Sequence, residues 1–444
     1  MVKFALILYN LLFPFAFLVY FPLYLHKLIR RGGSAKGFRE RFGIIGADKK
    51  ARLRQLNNPI WIHAVSVGEV QLAIPFINYW LEREPNRHFV LSTTTSTGQA
   101  IARSKAPDKV VPIYCPIDWY PCIAATLRSV CPAAVLIVEV EIWPTLITMV
   151  SDRGVPIGLI NGRVSDRTAR RQMKFRRLFK DLFTRLSMIA VQAEDDVGRI
   201  KDIVGDHRAL RACSTMKFDI VPDPDTSFDE TVLDSVFGTE PRVVFIAASI
   251  WPGEGEIIAR LYRELAALYP VLRMIVVPRH AERGDEFKAV LESQALAAHL
   301  LTDLRADPKS EIRNPKSETP PVLLANTTGE LMSLLTVSDI VFVGKSLGGN
   351  HEGQNIIEPA TLGKAVLFGA GMSNFRDVVK IFKAADAVVE VADERELTAA
   401  VRRLLDSPAD RAALGGRARQ AVVDSRGAMA QTIDLFDTHC STAP

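Results

Sequence analysis

Short apolar runs, each long enough for one buried strand, alternate along this chain with segments of helical periodicity, and few folds accept that alternation. Residues 59–67 (PIWIHAVSV), 88–94 (HFVLSTT), 109–114 (KVVPIY), 133–139 (AAVLIVE), 155–160 (VPIGLI) and 187–192 (SMIAVQ) read as strands. Amphipathic stretches such as EVQLAIPFINYWLERE and GQAIARSKA lie between them. Strands that are apolar on both faces and separated by helices pair in parallel and need cover on each side. A second series begins near residue 241, with 242–249 (RVVFIAAS), 272–280 (LRMIVVPRH), 321–327 (PVLLANT), 339–345 (DIVFVGK), 364–369 (KAVLFG) and 387–391 (AVVEV). Between the two series KFDIVPDPDTSFDETVLDS (217–235), rich in Pro and Asp, reads as a linker. At 444 residues the chain exceeds one compact core. The expected α/β division is an N-terminal anchor over 1–32, a doubly wound Rossmann-like domain over 33–216, a linker over 217–240 and a second such domain over 241–444. Two domains of this kind are expected to face a common cleft, with ligands at the C-terminal ends of the strands. DPKSEIRNPKSETPP (307–321) buries too little to offset its ordering entropy and is expected to be a mobile surface loop.

The anchor is expected from FALILYNLLFPFAFLVYFPLYL (4–25), which has no charged residue and is long enough to cross a hydrocarbon core of about 30 Å. Lys27, Arg30, Arg31, Lys36, Arg39 and Arg41 follow it, whereas a signal peptide carries its positive charge ahead of the apolar run. The positive-inside bias then holds the bulk of the chain in the cytoplasm. Pro14 and Pro22 leave a bent or interfacial helix open beside a full span. Residues 161–185 interleave basic side chains with Phe175, Leu178, Phe179, Leu182 and Phe183; that apolar stripe either lies on an anionic membrane or packs on the core. A net charge of +5 suits an anionic partner or surface without naming one. Five cysteines without CxxC pairing fit reduced thiols, and neither a disulfide framework nor a zinc site.

Several segments can carry chemistry. In 59–67 side chains alternate, so His63 and Ser66 point to opposite faces, which argues against a local Ser/His nucleophile pair. Gly68 permits a tight strand-to-helix turn and Glu69 falls in the first turn of the next helix. Two readings of Glu69 are open there: a residue favoured by the helix dipole, or a general base aimed into the cleft. VEVEIWPTLI (138–147) sets Glu139 and Glu141 at a strand end before a helix begun at Pro144, and two carboxylates in an apolar strand are costly to bury without partners. VGKSLGGNHEGQNIIEPATLGK (343–364) places Gly344, Gly348, Gly349 and Gly353 between a strand and a helix starting near Asn355. Backbone N–H groups in such a loop can approach an anion. Its spacing is neither GxGxxG nor GxxxxGK[ST], so neither a dinucleotide nor a Walker-type nucleotide is indicated. Glu358, one turn in, is suited to accept from ribose hydroxyls. VPRHAER (277–283) and STMKFD (214–219) add Arg279 and Lys217 at expected cleft positions, where phosphate charge needs neutralising.

Taken together, HAVSVGE, EVEIWP, NGRVSDRT, MKFD, VPRHAER, TGELM and NIIEPATLGKAVLFG, in this order over about residues 1–425, strongly resemble the 3-deoxy-D-manno-octulosonic acid (Kdo) transferases of lipid A assembly. The resemblance implies a metal-independent, inverting glycosyltransferase of the GT-B fold, without cofactor or nucleic-acid partner. Its donor would be CMP-Kdo and its acceptor a lipid A precursor, at the cytoplasmic face of a bacterial inner membrane. It implies Glu69 as base and Glu139 and Lys217 in transition-state stabilisation. CMP contacts fall on Pro278 and Arg279, on Thr328, Gly329 and Glu330, and on Asn355, Ile356, Ile357 and Glu358. Three blocks depart from the family. SIWPGEGE (249–256) has Trp251 at a usual histidine, EGQN has Gln354 at another, and STMKFD stands for GSLKFD. Gln hydrogen-bonds but cannot become cationic, and Trp cannot accept as a histidine does. Two other readings stay open: a GT-B enzyme with another nucleotide-sugar donor, such as a UDP-sugar transferase or epimerase, and a catalytically weak membrane-attached protein that binds sugar nucleotide or lipid.

Overall fold

The computed structural model describes residues 6–19, 37–139, 142–220, 227–306 and 319–441. They fall into two compact units, one comprising the chain up to Ile220 together with the residues from Arg426 onward, the other running Val221–Ser425.

The first unit is built on β1 (Ile60–Ala64), β2 (Phe89–Thr93), β3 (Val110–Tyr114), β4 (Ala134–Val138), β5 (Ile157–Gly162), β6 (Met188–Val191) and β7 (Leu210–Ala212). These form one parallel sheet in the order β3-β2-β1-β4-β5-β6-β7. Every residue of β1 and of β4 is buried, because helices cover both faces. The period-two alternation of a strand divides them: Trp61, Val90 and Val135 enter one core, while Ile60, Ile62, Leu91 and Leu136 enter the other with Phe76 and Trp80. The chain winds outward from β1 and then returns to add β4 on its other side. The strand order therefore reverses between β1 and β4.

The second unit repeats the plan with β8 (Val243–Ile250), β9 (Leu272–Pro278), β10 (Ala298–Leu300), β11 (Val322–Leu324), β12 (Ile340–Val343), β13 (Ala365–Gly369) and β14 (Val389–Val391). Its parallel order is β10-β11-β9-β8-β12-β13-β14, reversing between β8 and β12. Both units are doubly wound parallel α/β domains, as expected. β7 and β10, absent from the sequence reading, are three-residue strands at sheet edges.

The chain's end departs from the expected 241–444 domain, since the helix Ala428–His439 belongs to the first unit. Its start is held by Asp219, whose two carboxylate oxygens accept from the N–H groups of Gly427 and Met429, each at 2.6 Å. Phe436 then meets Trp80 edge to face at 4.9 Å. The expected linker over 217–240 is likewise shared out: Met216–Phe218 is a packed 3-10 turn, and Glu230–Phe237 is a helix of the second unit. Residues 221–226 lie outside the described residues, as does 307–318 of the expected mobile loop.

Residues 6–19 form a helix. Asn10 ties it to the first unit, its side-chain amide donating to Thr145 Oγ1 at 3.1 Å and its side-chain oxygen accepting from Tyr120 N–H at 2.8 Å. Ile7, Leu11, Phe15 and Leu18 form an exposed apolar stripe on it. Among the described residues no helix is long and apolar enough to cross a membrane, and the rest of the anchor expected over 4–25 lies outside them. The basic segment forms two helices, Asp166–Lys174 and Arg176–Thr184, that break at Phe175. Leu182 and Phe183 are buried, with Leu178 and Phe179 packed beside them, so most of the stripe faces the core; Phe175 stays exposed.

Replacing Asp219 with Ala removes two charge-assisted helix-start bonds and should cost the first unit about 2 kcal/mol. Urea unfolding followed by fluorescence reads this as an earlier first-unit transition, with the second unit unmoved.

Candidate active site

Glu69 opens the helix Val67–Arg83 directly after β1. Ser66 caps that helix: its Oγ accepts from Glu69 N–H at 3.3 Å and donates to Glu69 Oε1 at 2.9 Å. Val65 N–H donates to Glu69 Oε2 at 2.6 Å. This reciprocal capping arrangement leaves Glu69 5% exposed, with its carboxylate fixed at the strand's C-terminal end. The turn is made by Ser66, in an extended conformation (φ −101°, ψ 167°), and Gly68 is not what makes it. A Cβ built on Gly68 would meet only Ser66 Oγ, at 3.9 Å.

Glu139 follows β4, the neighbour of β1 across the reversal of strand order. It is half-buried, and its backbone is left-handed (φ 59°) while its N–H still donates to Ile160 O at 2.9 Å. A non-glycine residue pays about 1–2 kcal/mol for that geometry, which bends the chain sharply off the strand. Glu141, expected beside it, lies outside the described residues.

Lys217, half-buried, sits in the 3-10 turn Met216–Phe218 that follows β7. The turn is drawn back over the sheet by Asn161 at the end of β5, whose Oδ1 accepts from Met216 N–H at 3.0 Å. It also packs on the helix that Glu69 opens, with Met216 in the core cluster of Val70 and Ala73. Glu69, Glu139 and Lys217 are thus gathered along one edge of one sheet. Asn161 is the residue that sequence reasoning missed, although its Asn-Gly pair marks a position tolerant of the left-handed conformation it adopts (φ 52°).

Beneath this edge His63 is wholly buried. It does meet a serine, but on the adjacent strand: Ser92 Oγ lies 2.8 Å from its Nδ1 and also accepts from Trp61 Nε1 at 2.8 Å. Cys115 Sγ lies 3.7 Å from Nε2, and the Trp143 ring stands edge-on at 5.0 Å. Burial pushes the His63 pKa down to about 3, so the imidazole is neutral and serves as a packed polar floor.

In the second unit the ends of β9, β8 and β12 lie side by side. Pro278 is buried and pairs with Ile250, while Arg279, exposed, donates its N–H to Ile250 O at 3.0 Å. In the glycine-rich loop after β12, expected to offer its N–H groups to an anion, the first three N–H groups after Gly344 are already taken. The carboxylate of Glu254, wholly buried, already accepts from Lys345 N–H at 2.8 Å and from Ser346 and Leu347 N–H at 3.0 Å each. It also accepts from Trp251 N–H at 2.8 Å. Burial pushes this carboxyl above its ordinary pKa, against the opposing pull of the four N–H donors. Gly344 is required for the approach, since a Cβ there would come within 2.8 Å of Glu254 Oε2 and 2.6 Å of Ile250 Cα.

Asn355 occupies the start of the short helix Ile357–Thr361, accepting from Ile357 N–H at 3.1 Å and donating to Glu358 Oε1 at 3.0 Å. Ile356 and Ile357 are buried. Thr328 and Gly329 are exposed after β11, and Glu330 is held by Thr327 and Arg305. The helix that follows Glu330, Leu331–Thr336, packs on the helix bearing Glu358, which brings these two predicted segments together.

Residues 36–220 match the family described as 3-Deoxy-D-manno-octulosonic-acid transferase (kdotransferase). The chain is 31% identical over 382 residues to a 3-deoxy-D-manno-octulosonic acid transferase of Haemophilus influenzae, covering 85% of this chain and 86% of that one. It is 29% identical to the enzyme of the same name from Bordetella pertussis, over 92% of this chain and 93% of that one. In fold it is similar to a glycosyltransferase from Rickettsia africae ESF-5, at a TM-score of 0.58 and 10% identity, over 87% of this chain and all of that one.

Below pH 6.5 an unfolded His63 binds a proton that the folded one, with its pKa near 3, refuses, so stability falls as the solution is acidified. The loss from this residue should reach about 2 kcal/mol by pH 5. The difference in unfolding free energy between wild type and His63→Asn should carry that slope and be flat above pH 7. Gly68→Ala should leave the melting temperature unchanged or higher, because the position has helical backbone and room for a methyl group.

Proposed function

The chain belongs to the 3-deoxy-D-manno-octulosonic acid (Kdo) transferases, and we propose that it transfers Kdo from CMP-Kdo to a lipid A precursor with inversion at the anomeric carbon. Glu69 takes the proton of the acceptor hydroxyl, which attacks that carbon as CMP leaves. The observation that carries this reading is the setting of Glu69. It is held by Ser66 and Val65 at the C-terminal end of β1, beside the strand that ends in Glu139. Glu139 and Lys217 act on charge that develops in the transition state. The first unit binds the acceptor and the second the donor nucleotide. There Pro278 and Arg279, the segment Thr328, Gly329 and Glu330, and the segment Asn355 to Glu358 contact CMP, with Arg279 meeting phosphate.

The exposed stripe of Ile7, Leu11, Phe15 and Leu18 supports a place on a membrane surface, which this reading assigns to the cytoplasmic face of a bacterial inner membrane. Basic residues just after the apolar N-terminus suit its anionic headgroups.

Incubating the protein with a tetra-acylated lipid A precursor and CMP-Kdo should give product masses raised by whole Kdo increments. No mass shift would overturn the assignment of donor and acceptor. Glu69→Gln keeps a residue able to complete the capping box, so folding should be unchanged while kcat falls about 10²–10⁴-fold. Near-normal turnover in that variant would remove Glu69 from the base role.

A further inference from the structure

Two side chains that stand out in the second unit touch each other. Trp251 follows β8 and Lys345 follows β12, the strands between which the sheet order reverses. Lys345 Nζ lies over the Trp251 ring, 4.5 Å from its centroid. His280, at the end of β9, packs on the same indole at 5.2 Å. Lys345 also forms an ion pair with Glu352, whose side chain is 57% exposed against 20% for the lysine.

The backbone under this contact is unusually determined. Lys345 is left-handed (φ 60°), a conformation that glycine adopts freely and a lysine does not. The N–H groups of Lys345 and Trp251 both donate to the single buried carboxylate of Glu254. Both loops are therefore fixed to one point, and the ammonium and the indole face have little freedom to part. A cation over an aromatic face is held electrostatically and keeps its remaining N–H donors for other acceptors. Its carboxylate partner, being mostly in solvent, is one that a better-placed anionic group can displace.

We infer that Lys345, positioned by Trp251, is a donor-recognition residue that binds an anionic oxygen of the sugar nucleotide, either its phosphate or the carboxylate of its sugar acid. This rests on the donor proposed above. Lys345 makes the contact, and Trp251 acts through it as a positioning residue. Glu352 gives up the ammonium as the ligand anion arrives. Open parallel α/β sheets bind ligands where the strand order reverses, and a fixed positive charge there suits a donor with two anionic groups.

Calorimetric titration of the full-length protein with CMP and separately with CMP-Kdo tests the inference. Lys345→Met keeps the stem, the left-handed backbone and the N–H bond to Glu254, so its thermal unfolding should match wild type. Loss of one charge-assisted contact should weaken binding at least about tenfold. An equal loss for CMP and CMP-Kdo assigns the contact to phosphate, and a loss confined to CMP-Kdo assigns it to the sugar carboxylate. Trp251→Phe should stay within about twofold of wild type, and Trp251→Ala should lose about threefold. Combining Trp251→Ala with Lys345→Met should add nothing to the lysine change alone. If wild type binds both ligands and Lys345→Met binds them equally well, the lysine has no such role, whereas the donor reading survives. A wild type that binds neither ligand overturns both.

Discussion

A parallel strand buried on both faces has no room for polar chemistry except at its ends, and the whole molecule follows from that constraint. Each sheet is closed above and below by helices, so reactive side chains can only leave it where strands stop. In the first unit β1 ends beside Glu69 and β4 at Glu139, the two strands flanking the reversal of order. In the second, β8 and β12 stand in the same relation and end at Trp251 and Lys345. His63 shows the other side of the rule. Placed within β1, it is neutral and packed, with Ser92 Oγ and Cys115 Sγ against its two ring nitrogens.

Carboxylates that are buried or half-buried then fix the loops that the strand ends release. Glu254 gathers four N–H groups from two loops. Asp219 holds the start of the last helix through Gly427 and Met429. Asp118 does the same for the helix Pro144–Ser151, accepting from Thr145 and Leu146 N–H at 3.1 and 2.8 Å. Each replaces several solvent hydrogen bonds with fixed donors, which is how an anion can be buried without a cationic partner. The same devices that stabilise the fold therefore set the geometry of its functional edges.

Much of this was legible in the chain itself. The apolar runs located twelve of the strands, and Glu69, Glu139, Lys217 and Arg279 were singled out as chemistry at strand ends or nearby turns. β7 and β10, both three-residue edge strands, escaped that reading. The glycine-rich loop was read as an open cradle for an anion because backbone N–H groups look alike in sequence, whether a ligand or Glu254 fills them. Asn161 escaped for a related reason. Its bond to Met216 crosses 55 residues, and nothing in the local pattern announces so distant a partner.

The sequence by itself determined the two α/β units, the strand ends at which chemistry can emerge, and a family membership carried by ordered motifs. Those are properties of hydrophobic period and of residue type, and both are local. Only the tertiary structure decided that the final helix belongs to the first unit, that Lys217 is drawn back toward β5, and that Trp251 and Lys345 form a pair. Each of these depends on a hydrogen bond or ring contact between residues far apart in the chain, and such contacts are selected by packing, which no local periodicity records.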